Sequence, residues 1–171
     1  MRQRSRSEFE RIYEAEVFSV YGFIAYRVRS RPEAEDLTQM TFERALNAWD
    51  RFDPARGSAR GWLFTIARNL VIDHLRSGAA AEPVELESAA ARHDGALITP
   101  ALEESAQLGL DPALESALAS LSSRERELIA LRFGAELNGP EIAVLTELSV
   151  ANVQQILSRS LRKLHAKLDP P

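Results

Sequence analysis

Residues 139–164 read Gly139-Pro-Glu-Ile-Ala-Val-Leu-Thr-Glu-Leu-Ser-Val-Ala-Asn-Val-Gln-Gln-Ile-Leu-Ser-Arg-Ser-Leu-Arg-Lys-Leu164. Apolar residues recur here at three- and four-residue steps on both sides of a short break, which is the pattern of a helix-turn-helix. On the second helix one apolar stripe is expected to face the core: Val150, Val153, Leu157, Leu161 and Leu164. This stretch predicts a small helical unit built around that motif.

The opposite side of the second helix carries side chains suited to duplex DNA. Asn152, Gln155, Arg159 and Arg162 project from it, and amides and Arg are the groups that read base edges in the major groove. Residues 149–168 hold four basic side chains and no acid, whereas residues 113–148 hold three basic and six acidic ones. An ordinary amphipathic helix with a basic solvated face fits the same pattern equally well.

The turn of this motif holds an unusual residue. A helix-turn-helix usually has Gly where this chain has Glu147. A left-handed backbone there costs a non-Gly residue about 1 kcal/mol or more, so we expect either that strain or a reshaped turn.

The first half of the chain also has helical periodicity and no convincing strand. Breaks at Arg31-Pro32 and across residues 53–58 divide it into helices near 8–29, 33–49 and 58–76. In the second half, helices are expected from Pro112 to about Leu168, and Ser122 with Glu125 predicts a capping box.

A second basic surface is predicted on residues 56–76, which hold four Arg and one Asp. Thr65, Arg68 and Asn69 share a face with Ile72 and Arg76, opposite the apolar residues. The preceding loop, 50–58, could hold an unstacked base, because single-strand binding uses cationic groups beside an apolar wall. Trp62 and Phe64 could stack on bases, although aromatic residues at helical spacing more often fill the core.

Charge is distributed unevenly along the chain. The net charge of −4 is the sum of +2 over residues 1–78, −6 over residues 79–112 and zero over residues 113–171. Residues 79–111 are also rich in Ala, broken by Pro and Gly, and without periodicity, which predicts a flexible acidic linker between two independent helical domains, 1–78 and 112–171.

Several classes of function are excluded by composition. The absence of cysteine rules out disulfides, thiolate metal sites and a Cys nucleophile, and a reducing cytoplasm suits such a chain. The three His are far apart, and phosphate-loop and hydrolase motifs are missing, so we expect no enzyme activity, no metal and no cofactor. The basic N-terminus lacks an uninterrupted apolar stretch, so no export signal and no membrane insertion are expected.

Four stretches, in this order, resemble the extracytoplasmic-function sigma family of bacterial transcription initiation factors. They are Phe9-Glu-Arg-Ile-Tyr13, Ala34-Glu-Asp-Leu-Thr-Gln39 with Phe42, Gly61-Trp-Leu-Phe-Thr-Ile-Ala-Arg-Asn69 with Asp73 and Arg76, and Leu121-Ser-Ser-Arg-Glu-Arg-Glu127 followed by the helix pair at 141–164. The resemblance implies an all-α fold of two domains, sigma domain 2 as a three- or four-helix bundle and sigma domain 4 with the helix-turn-helix.

The resemblance also implies a role for each surface. Core RNA polymerase would be bound through its clamp helices and flap, with a clamp-facing set of Asp36, Gln39, Met40 and Glu43. The melted −10 element would be bound by Arg56, Ser58, Arg60, Trp62, Thr65, Arg68, Asn69 and Arg76. The duplex −35 element would be bound by Ser149, Asn152, Gln155, Ser158, Arg159, Arg162 and Lys163. An anti-sigma factor is an expected partner, and the acidic linker would imitate nucleic acid in a polymerase channel.

The chain departs from the family pattern at three places. Met40 stands where Glu is usual, Glu147 replaces the turn Gly, and Gln155-Ile156 replaces a common Ser-Arg pair. Two other functions stay open at this point. One is a two-domain helix-turn-helix regulator that never joins polymerase, and the other is a helical metal-dependent hydrolase.

Overall fold

The computed structural model describes residues 6–28, 30–81 and 111–169, with side chains throughout except at 79–81. Within these ranges the chain forms seven α-helices and no strand. The helices are α1 Arg6–Ala25, α2 Arg31–Ala48, α3 Ala59–Ala81, α4 Pro112–Ala119, α5 Ser123–Ile129, α6 Gly139–Thr146 and α7 Val150–Leu168. Two 3-10 turns, Trp49–Arg51 and Pro54–Arg56, join α2 to α3, and a π-helical turn, Ala130–Gly134, follows α5. The predicted all-α fold is confirmed.

Side-chain caps set several of the helix starts. The Ser30 hydroxyl accepts a hydrogen bond from the Glu33 amide at the start of α2. Ser122 and Glu125 form the predicted capping box of α5. An equivalent box at α6, made by Asn138 and Glu141, was not expected. Each cap satisfies backbone amides that have no partner inside the helix.

Two helix ends differ from the sequence-based prediction. Helix α1 ends at Ala25, and Arg27 and Val28 beyond it are buried in a turn. Helix α3 continues to Ala81, past the end expected near residue 76. Its extra residues include Ala79–Ala81, and alanine is the strongest helix former, whereas Gly78 costs only about 1 kcal/mol inside a helix. The proposed linker, 79–111, otherwise lies largely outside the described residues.

The two halves of the chain share one hydrophobic core. Phe23, Leu63 and Phe64 from the first half are fully buried in the same cluster as Leu128 and Ile142 from the second. Helix α1 packs directly on the π-helical turn, and α3 lies against α6. The two halves were expected to be independent, and this shared core shows that they pack together.

Gly22 and Gly134 allow the closest contact between the halves. A Cβ atom added at Gly134 would lie 2.5 Å from the Gly22 carbonyl oxygen and 2.9 Å from the Phe23 amide nitrogen, so any side chain there would clash with backbone. A Cβ at Gly22 would clash with the Gly134 carbonyl in the same way. Glycine at both positions therefore lets α1 and the π-helical turn touch along their backbones.

We expect Phe64→Ala to lower the free energy of unfolding by about 3–5 kcal/mol, because it empties a fully buried ring site. The Phe64 ring packs edge-on against Phe23, with 6.2 Å between ring centroids. Urea denaturation followed by circular dichroism measures the change. Phe18→Ala is the matched control, since Phe18 is 84% exposed, and should change stability by less than about 0.5 kcal/mol. Equal losses in the two variants would contradict the burial described here.

Candidate nucleic-acid interface

Helix α7 presents a polar face to solvent. The side chains of Asn152, Gln155, Ser158, Arg159, Arg162 and Lys163 are all exposed. Ser149 also lies at this end but has a structural role, because its hydroxyl accepts a hydrogen bond of 3.1 Å from the Asn152 amide and caps the helix. Lys163 donates to the Glu125 carboxylate of α5 at 2.7 Å. Asn152, Gln155, Ser158, Arg159 and Arg162 are therefore the exposed members of the predicted −35 set whose side chains neither cap the helix nor pair with Glu125.

The buried side of α7 is rotated relative to the predicted stripe. Val153 and Leu164 are buried as expected, but Val150 is 39% and Leu161 44% exposed. Ser160 is fully buried instead, with its hydroxyl donating to the Ile156 carbonyl at 2.8 Å. The backbone carbonyl one turn earlier satisfies the buried hydroxyl. Burial of Ser160 was not expected from its polarity.

The turn between α6 and α7 keeps the left-handed geometry despite lacking glycine. Glu147 has φ 57° and ψ 32°, and its side chain is exposed. Its amide donates to the Ala143 carbonyl, which ends α6. The expected backbone strain is therefore present, and the turn is not reshaped.

The surface of α3 is partly exposed and partly covered. Thr65, Asn69 and Arg76 are exposed on the helix, and Arg56 is exposed in the loop before it. The Ser58 hydroxyl accepts a 3.0 Å hydrogen bond from the Gly61 amide near the start of α3. These residues lie along one side of the helix and its preceding loop, as the sequence predicts.

The aromatic residues of this region belong mainly to the core. Phe64 is fully buried, whereas Trp62 is half-buried between α3 and the turn before it. Its ring lies 5.1 Å from Phe52 and 5.9 Å from Trp49, measured between centroids. Trp62 is therefore partly accessible to solvent, and its ring packs against Phe52 and Trp49.

Two of the predicted DNA-binding arginines contact the other half of the chain. The Arg68 guanidinium donates to the Glu127 carboxylate of α5 at 2.7 Å. The Arg60 guanidinium donates to the Ala135 carbonyl at 2.8 Å and lies 3.4 Å from Glu16 on α1. Both side chains are thereby tied to groups that no sequence pattern identified.

Glu127 is a buried anion held by cations from both halves. Arg124 donates to its second oxygen at 2.8 Å, and Arg68 binds the first. Burial raises the pKa of the Glu127 carboxyl, but the hydrogen bonds and charges of Arg68, Arg124 and Arg27 outweigh burial, and the pKa lies below its ordinary value. Glu127 therefore stays ionised at neutral pH.

A cleft of about 830 Å³ opens between the loop at 51–58, helix α3 and helix α6. Its cationic wall includes Arg51, Arg56, Arg60 and Arg68, and its opposite wall carries Glu141 and Glu147. Near this cleft, burial raises the pKa of Glu16, opposed by the charge of Arg60 and reinforced by that of Glu141. The predicted −10 surface thus faces carboxylates of the second half.

The predicted polymerase-binding set lies on the outer face of α2. Asp36, Gln39, Met40 and Glu43 are all exposed, and the Gln39 amide donates to the Glu43 carboxylate at 2.7 Å.

A groove of about 880 Å³ lies between α1 and α2, next to this set of residues. Its exposed apolar wall includes Tyr13, Phe18 and Leu46, of which the sequence analysis did not single out Phe18 and Leu46. Phe18 lies nine residues, or about two and a half helical turns, after the buried Phe9 on α1. This spacing directs its side chain away from the face that Phe9 buries, and it was the available signal.

No group of three or more His, Asp or Glu side chains comes together in the described ranges in a way that would hold a metal ion. Among the helices that the structure describes, none is both long enough and apolar enough to span a bilayer.

Comparisons with known proteins match both halves of the chain. The sequence profile of Sigma-70 region 2 matches residues 12–81, and that of Sigma-70 region 4 matches residues 117–166. The chain is 33% identical to the ECF RNA polymerase sigma factor BldN of Streptomyces coelicolor over 95% of its own length, which spans 60% of that protein. It is 31% identical to SigC of Mycobacterium tuberculosis over 88% of this chain and 78% of the relative, and 28% identical to SigM of Bacillus subtilis over 92% and 93%.

Two solved structures share the fold over most of the chain. CnrH in complex with the cytosolic domain of CnrY superposes with a TM-score of 0.68 at 27% identity, covering 96% of this chain and 90% of that one. The sigma factor RpoE in complex with the anti-sigma factor NepR, from Bartonella quintana, gives a TM-score of 0.70 at 24% identity, covering 95% and 98%. The match over nearly the full length includes both helical halves.

We expect Glu147→Gly to raise the free energy of unfolding by up to about 1 kcal/mol, because glycine adopts the left-handed backbone without a steric cost. Thermal or urea denaturation measures the change. The control is Glu14→Gly, an exposed glutamate within α1, where glycine should cost about 1 kcal/mol. Destabilisation of similar size in both variants would show that the turn carries no strain.

Proposed function

The chain belongs to the sigma-70 family of RNA polymerase sigma factors, in its extracytoplasmic-function group, and from this premise we propose a division of labour between its two halves. A sigma factor directs RNA polymerase to promoters and is not itself an enzyme. The observation that carries the residue-level proposal is the order of the two matches, region 2 and then region 4, each with its own basic helix face. The first half, with region 2, binds polymerase and melted −10 DNA, and the second half, with region 4, binds the duplex −35 element.

The −35 element is assigned to the exposed face of α7. Gln155, Arg159 and Arg162 are exposed, and Asn152 lies in the first turn. Placed in a major groove, the amides read base edges while the arginines contact bases or phosphates. Ser149 and Ser158 lie at the edge of this surface. The Lys163 ammonium can contact a DNA phosphate in place of the Glu125 carboxylate.

The −10 element is assigned to α3 and the loop before it. Arg56, Thr65, Asn69 and Arg76 are exposed and can contact backbone or unstacked bases. Trp62 supplies an apolar wall beside them, and Ser58 supports the loop through its cap. Arg60 and Arg68 complete the surface once they leave their partners in the second half.

Docking on polymerase is assigned to the outer face of α2. Asp36 and Glu43 supply negative charge, Gln39 supplies a hydrogen-bonding amide, and Met40 adds an adaptable apolar contact. The adjacent apolar groove, with Phe18 on its rim, extends the same surface. We assign the clamp helices of the largest polymerase subunit to this face and the flap to the second half.

We infer the regulation and the cellular location of the chain from its family membership. CnrH and RpoE were solved with CnrY and with the anti-sigma factor NepR, and we propose that an anti-sigma factor also binds this chain. We place its activity in the cytoplasm, with polymerase. The acidic linker, proposed to imitate nucleic acid, falls almost entirely outside the described residues. A regulator acting without polymerase leaves the region 2 match and the α2 surface without a role.

We expect Asp36→Ala with Gln39→Ala to weaken capture of core polymerase by the tagged chain at least about tenfold, because it removes a charge and an amide from the docking face. Pull-down against increasing polymerase concentration measures it. Glu14→Ala, which removes an exposed carboxylate from α1, is the control and should bind normally. Failure of the unmodified chain to bind polymerase would support the regulator instead.

We expect Arg68→Ala with Asn69→Ala to impair promoter opening more than recruitment, because these side chains are assigned to melted DNA. Permanganate reactivity of unpaired thymines measures opening, and gel shift of the holoenzyme measures recruitment. Arg11→Ala, on the exposed side of α1, controls for loss of one positive charge. Equal loss of opening and recruitment, or loss of neither, would contradict the assigned role of α3.

A further inference from the structure

We propose that the first two turns of α7 select A·T base pairs: the Gln155 amide binds an adenine, and the Ala151 methyl packs on the methyl group of a nearby thymine. The inference deepens the proposed function, on which it rests, because it names the bases that the −35 surface recognises. Ala151 lies outside the −35 set inferred from the sequence, and its side chain is exposed.

The centre of the exposed face of α7 is defined by the residues that are buried on its other side. The buried or partly buried stripe follows steps of four, three and four residues and consists of Val153, Leu157, Ser160 and Leu164. A second stripe has the same spacing, begins two residues earlier and is exposed throughout; it consists of Ala151, Gln155, Ser158 and Arg162. Two residues correspond to about 200° around an α-helix, so the exposed stripe lies directly opposite the core. This stripe is therefore the part of α7 that goes deepest into a groove.

The other exposed residues at the start of α7 lie beside this stripe. Asn152 and Arg159 each follow a member of it by one residue, which places them to one side, and Gln154 lies on the other side. Val150 faces the start of α6, since a Cβ atom added at Gly139 would lie 3.8 Å from the Val150 Cγ1 atom. Residues beside the stripe meet the sugar-phosphate walls of a groove, whereas the stripe meets base edges.

The first two turns of α7 carry no charge. Residues 149–158 contain no Asp, Glu, Lys, Arg or His, and Arg159 is the first cation of the helix. A recognition helix contacts base edges mainly with its N-terminal residues, and an arginine bound to guanine is the commonest specific contact. Because these turns have no arginine, they do not provide the usual contact that selects guanine.

Gln155 and Ala151 provide two other contacts. A glutamine amide accepts from the adenine amino group and donates to adenine N7, and an alanine methyl packs on the thymine methyl. The Ser158 hydroxyl can donate or accept, so it adds a contact without selecting a base. Four residues of an α-helix span about 6 Å, which is close to two base-pair steps of about 3.4 Å each. The thymine is therefore expected within about two base pairs of the adenine.

The first experiment selects DNA with the full chain bound to core polymerase, from duplexes randomised upstream of the −10 element. We expect the bound duplexes to share an adenine that is preferred at least about fivefold over any other base. Gln155→Ala should abolish this preference, and Gln155→Glu should change it to cytosine, whose amino group donates to a carboxylate. Gln154→Ala is the matched control, because it removes an exposed amide beside the stripe, and it should keep the adenine preference.

The second experiment replaces the thymine nearest this adenine by deoxyuracil, which removes only the C5 methyl group. We expect the unmodified holoenzyme to bind the deoxyuracil duplex about fourfold more weakly, as for one buried methyl. Ala151→Gly should bind the two duplexes equally. Each protein is compared with itself on two DNAs, so a loss of helix stability cancels. Ala166→Gly, at an exposed position near the end of α7, is the control and should keep the fourfold difference.

Three outcomes would overturn the proposal. They are guanine at the position that Gln155 controls, an adenine preference that persists in Gln155→Ala, and the same thymine-to-uracil ratio for the unmodified chain and Ala151→Gly. Capture of core polymerase tests the proposed function separately. If capture fails, the same selection is made with the chain alone, because the reading of bases by α7 does not require polymerase; selection of no sequence there would overturn this inference as well.

Discussion

The backbone contact between Gly22 and Gly134 is the constraint from which the arrangement of this molecule follows. Because neither position carries a side chain, α1 and the π-helical turn approach closely enough for both halves to share one core. This approach brings α5 beside α3, where Glu127 meets Arg68, and α6 beside the loop at 51–58. The polar face of α7 and the outer face of α2 stay exposed. The same contact therefore decides which proposed surfaces are available in this state.

Local features of the fold were predictable because local physics determines them. The capping box at Ser122 and Glu125 and the break at Pro32 involve residues within a few positions of each other. The exposed amides and arginines of α7 follow from helical periodicity in the same way. Two local details were missed: Ser160 is buried because its hydroxyl is satisfied by its own helix, and α3 runs to Ala81 through a stretch of strong helix formers.

Contacts between distant residues could not be predicted from periodicity. Arg68 and Glu127 are 59 positions apart, and each alone is compatible with a solvated face. Helical periodicity acts over a few residues and carries no signal that pairs positions so far apart. The amphipathic pattern identified which residues of α3 point away from its own bundle, but an outward direction does not distinguish solvent, DNA and a neighbouring domain. Periodicity therefore could not show that the two halves pack against each other.

The chemistry of the contact between Arg68 and Glu127 allows it to be broken at little cost. An ion pair taken out of water gains Coulomb energy but loses hydration of both charges, so its net contribution is small compared with that of apolar packing. Replacing the Glu127 carboxylate by a DNA phosphate would exchange one anion for another around Arg68, at little net electrostatic cost. Glu127 would keep Arg124 as a partner after the exchange, so no buried charge would be left unpaired. If apolar side chains covered the same surface, no group of a nucleic acid could replace their contacts. An arginine–carboxylate pair, in contrast, can open when another anion binds the arginine.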